Sequence, residues 1–176
     1  MRQTAKVVLL ALALLPGTAR ASEPPCLTAG EFTSLAGYAL PSVIGGTVQR
    51  CSTALPADAF LKRSGGELAQ RYAANKAGNW PEAKAVFFKL GGTGNAEAAN
   101  AMRTLPDTTL QLMLDGLIEG MVAQNLPSDR CGAVDRVVRL LSPLPPENTA
   151  ELIALAAGLG AKSGKAKVGA FSLCPA

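Results

Sequence analysis

The sequence predicts an all-α fold, a single compact bundle of about six or seven short helices stapled by two disulfides. Three observations carry this expectation. Apolar residues, mostly Ala and Leu, recur at i, i+3, i+4 spacing and not in strict alternation. Proline and glycine fall, with few exceptions, between the periodic stretches, where they end helices. The chain has four cysteines, an even number, behind an N-terminus that reads as an export signal, so they are expected to pair.

The N-terminus has basic Arg2 and Lys6, an apolar run from Val7 to Leu15, a break at Pro16-Gly17 and then Ala19-Arg20-Ala21. This is the order of a cleavable secretory signal peptide, with cleavage expected after Ala21. The apolar run is 9 residues long, well short of the roughly 20 that a membrane span needs. The expectation is a protein exported to the periplasm or out of the cell, with no transmembrane segment in its mature chain. Glu23-Pro24-Pro25 before Cys26 does not suit lipidation, so Cys26 is read as a disulfide partner. Three regions follow: signal peptide 1–21, helical domain 22–160, and a small, basic tail 161–176 tethered through Cys174. Cleavage removes Arg2, Lys6 and Arg20, so 17 basic residues become 14 against 13 acidic ones, and the net charge falls from +4 to about +1. That near-neutral balance excludes the usual basic footprint of a nucleic-acid binder. Only Lys162, Lys165 and Lys167 in the tail resemble one.

The helices can be taken in order. Thr28 and Glu31 form a T-x-x-E capping box, followed by Phe32, Leu35, Ala36 and Ala39. Pro41 is expected to end this helix and open the next, which carries Val43, Ile44 and Val48 and is weakened by Gly45-Gly46. A turn near Leu40 would then make a helical hairpin with Cys26 and Cys51 at its open end. That predicts a Cys26–Cys51 bridge and, by elimination, Cys131–Cys174. Ser64 and Glu67 suggest a second box, opening a helix through Leu68 and Tyr72. Asn79-Trp80-Pro81-Glu82 reads as a third start, for a helix ending at Gly91-Gly92. A short helix is expected over Ala96–Leu105. The clearest helix runs from about Pro106 to Asn125. Its positions Leu110, Met113, Leu114, Leu117, Ile118, Met121 and Val122 are expected to face inward, with Gln111, Asp115 and Glu119 outside. Ser128 caps a helix carrying Val134, Val137, Val138 and Leu141, with Asp135 and Arg139 paired on its outer face. After Pro143–Pro146, a last helix turns Leu152, Ile153, Leu155, Ala156 and Leu159 inward.

The histidine count is zero. That removes Ser-His-Asp and Cys-His catalysis, histidine metal sites and the usual near-neutral general base. The cysteines make no C-x-x-C, so neither a redox motif nor a zinc knuckle is present. No catalytic, metal or cofactor residues are assigned. Cys26, Cys51, Cys131 and Cys174 are the only site residues, as disulfides. The loop Gly91–Asn95 lacks the context of a phosphate-binding loop. Gly116 and Gly120, at G-x-x-x-G spacing, are expected to receive a neighbouring helix, and Met113 and Met121 to fill the core. The leading function is a non-enzymatic exported protein acting through binding or scaffolding. A carrier of a small hydrophobic ligand or lipid is the alternative, which would need an apolar pocket of at least about 300 Å³. A hydrolase using carboxylates alone, with Asp115 and Glu119 as the pair, is the third.

Overall fold

In a computed structural model describing residues 26–91, 96–162 and 172–174, the box at Thr28 starts the helix around which the others gather. Thr28 Oγ1 accepts from the Glu31 amide at 3.2 Å, and Glu31 Oε2 accepts from the Thr28 amide at 2.8 Å. The helix they open, α1, runs unbroken over Ala29–Cys51, with Pro41 inside it. An interior proline removes one backbone hydrogen bond and costs about 3 kcal/mol. Here the cost is outweighed: α1 is the central helix, and Phe32, Tyr38, Leu40 and Ile44 are all buried on it. Each such side chain contributes about 1.5–3 kcal/mol.

The remaining elements are α2 (Phe60–Ala73), α3 (Lys76–Gly91), α4 (Ala96–Arg103), α5 (Asp107–Asn125), a 3₁₀ turn (Ser128–Arg130), α6 (Cys131–Leu141) and α7 (Pro146–Lys162). The all-α expectation holds: among the described residues the regular structure is helical. Helix α1 packs against α2, α3, α5 and α7, while α6 packs on α2.

A continuous α1 overturns the expected hairpin and with it the disulfide pairing. Cys26 and Cys51 lie at opposite ends of the helix, roughly 35 Å apart at 1.5 Å per residue, far beyond bridging distance. The bonds are instead Cys26–Cys174 and Cys51–Cys131, with Cα separations of 4.9 and 5.5 Å. The first joins the two ends of the described chain. Beside it Leu27 donates to the Ser172 carbonyl at 2.9 Å and Cys174 to the Leu27 carbonyl at 2.8 Å. Leu27 is fully buried with Phe32, Val86 and Ala154. The second bond pins the end of α1 to the start of α6 beneath Leu55, Ala59 and Leu61.

Three helix starts also differ from expectation: Ser128 opens the 3₁₀ turn ahead of α6 and makes no capping bond, and the other two are on α2 and α3. Ser64 lies inside α2, not at its cap. The cap comes from another helix: Asp135 Oδ1 on α6 accepts from the Leu61 amide at 2.7 Å, so Asp135 faces α2 and not solvent. Helix α3 begins at Lys76, ahead of Asn79. Asn79 bonds back to the Asn75 carbonyl at 3.2 Å, and its amide fills the space a Cβ on Gly37 would need. The expected bounds of the α5 helix agree within a residue. The α2–α7 contact is closed by polar groups, since the Tyr72 and Thr149 hydroxyls share a 2.9 Å hydrogen bond and Tyr72 also reaches the Leu144 carbonyl at 3.2 Å.

Candidate functional site

The rotation of α5 about its axis decides which of its side chains reach solvent. Leu110, Leu114 and Ile118 pack on Tyr38, Trp80, Ala83 and Phe88. In the next arc Asp115 is half-buried against α1, while Glu119 is exposed and lays its carboxylate beside Gly45. Glycine makes this possible. A Cβ on Gly46 would sit 2.5 Å from the Glu119 carbonyl oxygen, and one on Gly45 would sit 2.9 Å from the Glu119 carboxylate. Gly45-Gly46 therefore leaves α1 unbroken and lets the α5 backbone lie directly against it.

Asp115 joins a polar cluster between three helices. Its Oδ1 accepts from Ser42 Oγ at 3.1 Å and pairs with Lys76. The Lys76 ammonium lies 4.4 Å above the Tyr38 ring, a cation–π contact. The Tyr38 hydroxyl is pushed far up in pKa, first by burial and then by the charge of Asp115. Ser42 is buried, so this cluster clamps α1, α3 and α5 and offers no open nucleophile. Of the pair considered for hydrolysis, Asp115 is bonded to Ser42 and Lys76, whereas Glu119 is exposed beside Gly45. Elsewhere Asp107 accepts from Trp80 Nε1 at 2.8 Å and pairs with Lys84, which with Trp80 holds its carboxyl below the ordinary range. Glu31 is held low in the same way, by Lys89 and by its capping bond from Thr28.

With Asp115 turned toward the bundle, the opposite side of α5 is left uncovered. Met113, Leu117 and Met121, expected in the core, are 52–55% exposed, and Leu112 beside them is more so. Gly116 and Gly120, expected to receive a neighbouring helix, have none. A Cβ on Gly116 would meet nothing within 4 Å, and one on Gly120 only the side chain of Gln124. The narrower face of Met113, Gly116, Leu117, Gly120, Met121 and Gln124 carries no charged residue, whereas Leu112 shares its side of the helix with the exposed Glu119. Helix α7 departs from expectation in the same way. Its buried residues are Thr149, Ala150 and Ala154, while Leu152, Leu155 and Leu159 are 45–71% exposed. On α6, Val137 and Leu140 are exposed as well.

One cleft of about 290 Å³ lies between the α1–α2 connection and α6. Leu55, Phe60, Asp58, Arg63, Asp135 and Arg139 line it, so its walls are as charged as they are apolar and do not suit a purely apolar ligand. Among the described residues no group of three or more His, Cys, Asp or Glu could hold a metal, and no helix is long and apolar enough to cross a membrane. Gly92–Asn95, the tail lysines Lys165 and Lys167, and residues 1–21 lie outside the described residues. The two disulfides point to an extracytoplasmic, oxidising compartment. No protein-family model matches the chain, and neither the curated proteins nor the solved structures yield a match.

Proposed function

We propose that this is an exported, non-enzymatic protein that acts by binding another protein chain, with the uncharged face of α5 as its contact surface. The observation behind this reading is the Met113–Leu117–Met121 stripe. Three large apolar side chains, more than half exposed on one rigid helix, leave apolar area in water that the bundle does not use. Methionine at both ends suits such a surface, because its unbranched thioether adapts to an irregular partner. The polar cluster at Asp115 and the close approach at Gly46 hold α5 in this rotation, so the stripe is presented by a fixed scaffold. A photo-cross-linking residue at Met121, with one at Glu67 on α2 as control, tests the reading in the native host. A discrete protein adduct from position 121 and not from 67 is expected. No adduct at 121, or equal adducts at both, overturns it.

A further inference from the structure

We infer that the cleft between the α1–α2 connection and α6 binds a small organic carboxylate with an apolar body, gripped by Arg63 and Arg139. The cleft is built on elements other than α5, so this stands or falls apart from the reading of α5 as a contact surface. Its walls meet only in the fold: Leu55 and Asp58 come from the connection, Phe60 and Arg63 from the first turn of α2, and Asp135 and Arg139 from α6. Two ties fix these walls before any ligand arrives. The Cys51–Cys131 bond holds the end of α1 to the start of α6, and Asp135 Oδ1 holds α2 through the Leu61 amide at 2.7 Å. A site already in place loses little affinity to ordering when it is filled.

Charge selects the ligand. Among the described residues neither Arg63 nor Arg139 has an ion-pair partner, although carboxylates stand in the same cleft. Asp135 precedes Arg139 by four residues, the spacing of a helical ion pair. Its carboxylate turns instead to the Leu61 amide, at the positive end of α2, and is answered there. Two guanidinium groups are then left against one carboxylate not otherwise engaged, that of Asp58, a surplus of one positive charge. A monoanion cancels that surplus, whereas a doubly charged phosphate overshoots it. The planar fork of a guanidinium also matches a carboxylate bidentately. Leu55 is buried and Phe60 half-buried, so together they give the ligand's apolar body a wall to lie on. The volume of about 290 Å³ sets the size. It equals about ten waters at roughly 30 Å³ each, room for one ring or a short chain behind the carboxylate.

Titration of the mature, disulfide-intact protein with sodium benzoate, followed by amide NMR at constant ionic strength, tests this. Saturable shifts at the amides of Phe60, Arg63, Gly132 and Arg139 are expected, with a Kd of about 1–10 mM for a probe of so few atoms. Benzamide, of the same shape without the charge, should not saturate the site. Arg63→Gln and Arg139→Gln, both at exposed positions, should each weaken benzoate about 10-fold. Gly132→Leu keeps both arginines but fills the cleft. A Cβ there meets nothing within 4 Å, so the helix accepts it, and benzoate binding should be lost with the melting temperature maintained. An acetylated tripeptide ending in a free phenylalanine carboxylate, run beside benzoate, separates a chain end from a free acid as the source, and the tighter of the two names it. No saturable shift up to about 50 mM of either acid overturns the proposal. So does benzamide or inorganic phosphate binding as tightly as benzoate, or binding unchanged in the Arg63→Gln/Arg139→Gln double variant.

Discussion

The disulfides offer the sharpest test of how this fold is held, because loop length and burial rank them in opposite order. Cys26–Cys174 closes a loop of 148 residues and Cys51–Cys131 one of 80. In the chain-entropy description these contribute about 5 and about 4.5 kcal/mol, so loop length favours the first by only about 0.5 kcal/mol. Burial runs the other way. Cys51 and Cys131 are fully buried among Leu55, Ala59 and Leu61, whereas Cys26 and Cys174 are only partly covered. Removing a buried sulfur leaves a hole the size of about one methyl group, at about 1 kcal/mol each. The Cys51→Ala/Cys131→Ala pair should therefore be less stable than Cys26→Ala/Cys174→Ala by about 1–2 kcal/mol. A total loss of about 6 kcal/mol brings a domain of ordinary stability close to unfolding. Urea unfolding followed by far-ultraviolet circular dichroism measures both variants, with mass mapping of the remaining bridge. A lower midpoint for Cys26→Ala/Cys174→Ala would refute the argument from packing, and a Cys26–Cys51 peptide in the wild-type map would refute the fold of α1.

Three further predictions follow from particular contacts. Gly46→Ala forces a Cβ against the Glu119 carbonyl oxygen and should cost about 1–3 kcal/mol; Gly116→Ala, in open space on the same helix pair, should gain about 0.8–1 kcal/mol, and chemical denaturation should return these opposite signs. Trp80 is the only tryptophan, and its indole donates to Asp107, whose carboxyl is held low by Lys84 and then by that bond. The Asp107 contribution is therefore complete above the unfolded pKa near pH 4 and is lost as pH falls through the lower folded value. A tryptophan fluorescence transition below about pH 4 that Asp107→Asn shifts or removes is expected, and an acid titration unchanged by that substitution would contradict it. Asp135→Ala removes the cap on the Leu61 amide and should cost about 1 kcal/mol, with hydrogen exchange accelerated first at the start of α2.

The sequence was most legible where local signals and tertiary demands agree. The Thr28–Glu31 box forms as its spacing predicts, and the long apolar period of α5 located that helix within a residue. It misled where a local breaker is overruled by burial. Pro41, Ser64 and Asn79 are all boundary residues by propensity, and each sits inside a helix. Pro41 mattered most, because the assumed turn decided which cysteines could meet. The signal that would have corrected it is tertiary: a helix that four others cover repays one lost hydrogen bond through the side chains it buries. The cap supplied to α2 by Asp135 was equally invisible, since donor and acceptor are 74 residues apart and only the packing of α6 joins them.

The misassigned faces of α5 and α7 share a physical cause, and it bears on function. Periodicity reports the direction of an apolar arc but not how much of it the neighbours will cover. On α5 the arc spans Leu110 to Val122 and is wider than one helix partner can bury. Gly45-Gly46 then settles the rotation, because only a surface without side chains lets the α5 backbone come so near, and that approach draws Asp115 inward. Asp115 is satisfied by Ser42 and Lys76, and the surplus of the apolar arc is pushed into solvent. If folding stability alone had shaped this helix, lysine or glutamate at 113, 117 and 121 would serve at no cost to the core, since none of the three belongs to it. The apolar residues are thus surplus to the fold of the chain, and that surplus is the ground on which α5 is proposed as a contact surface.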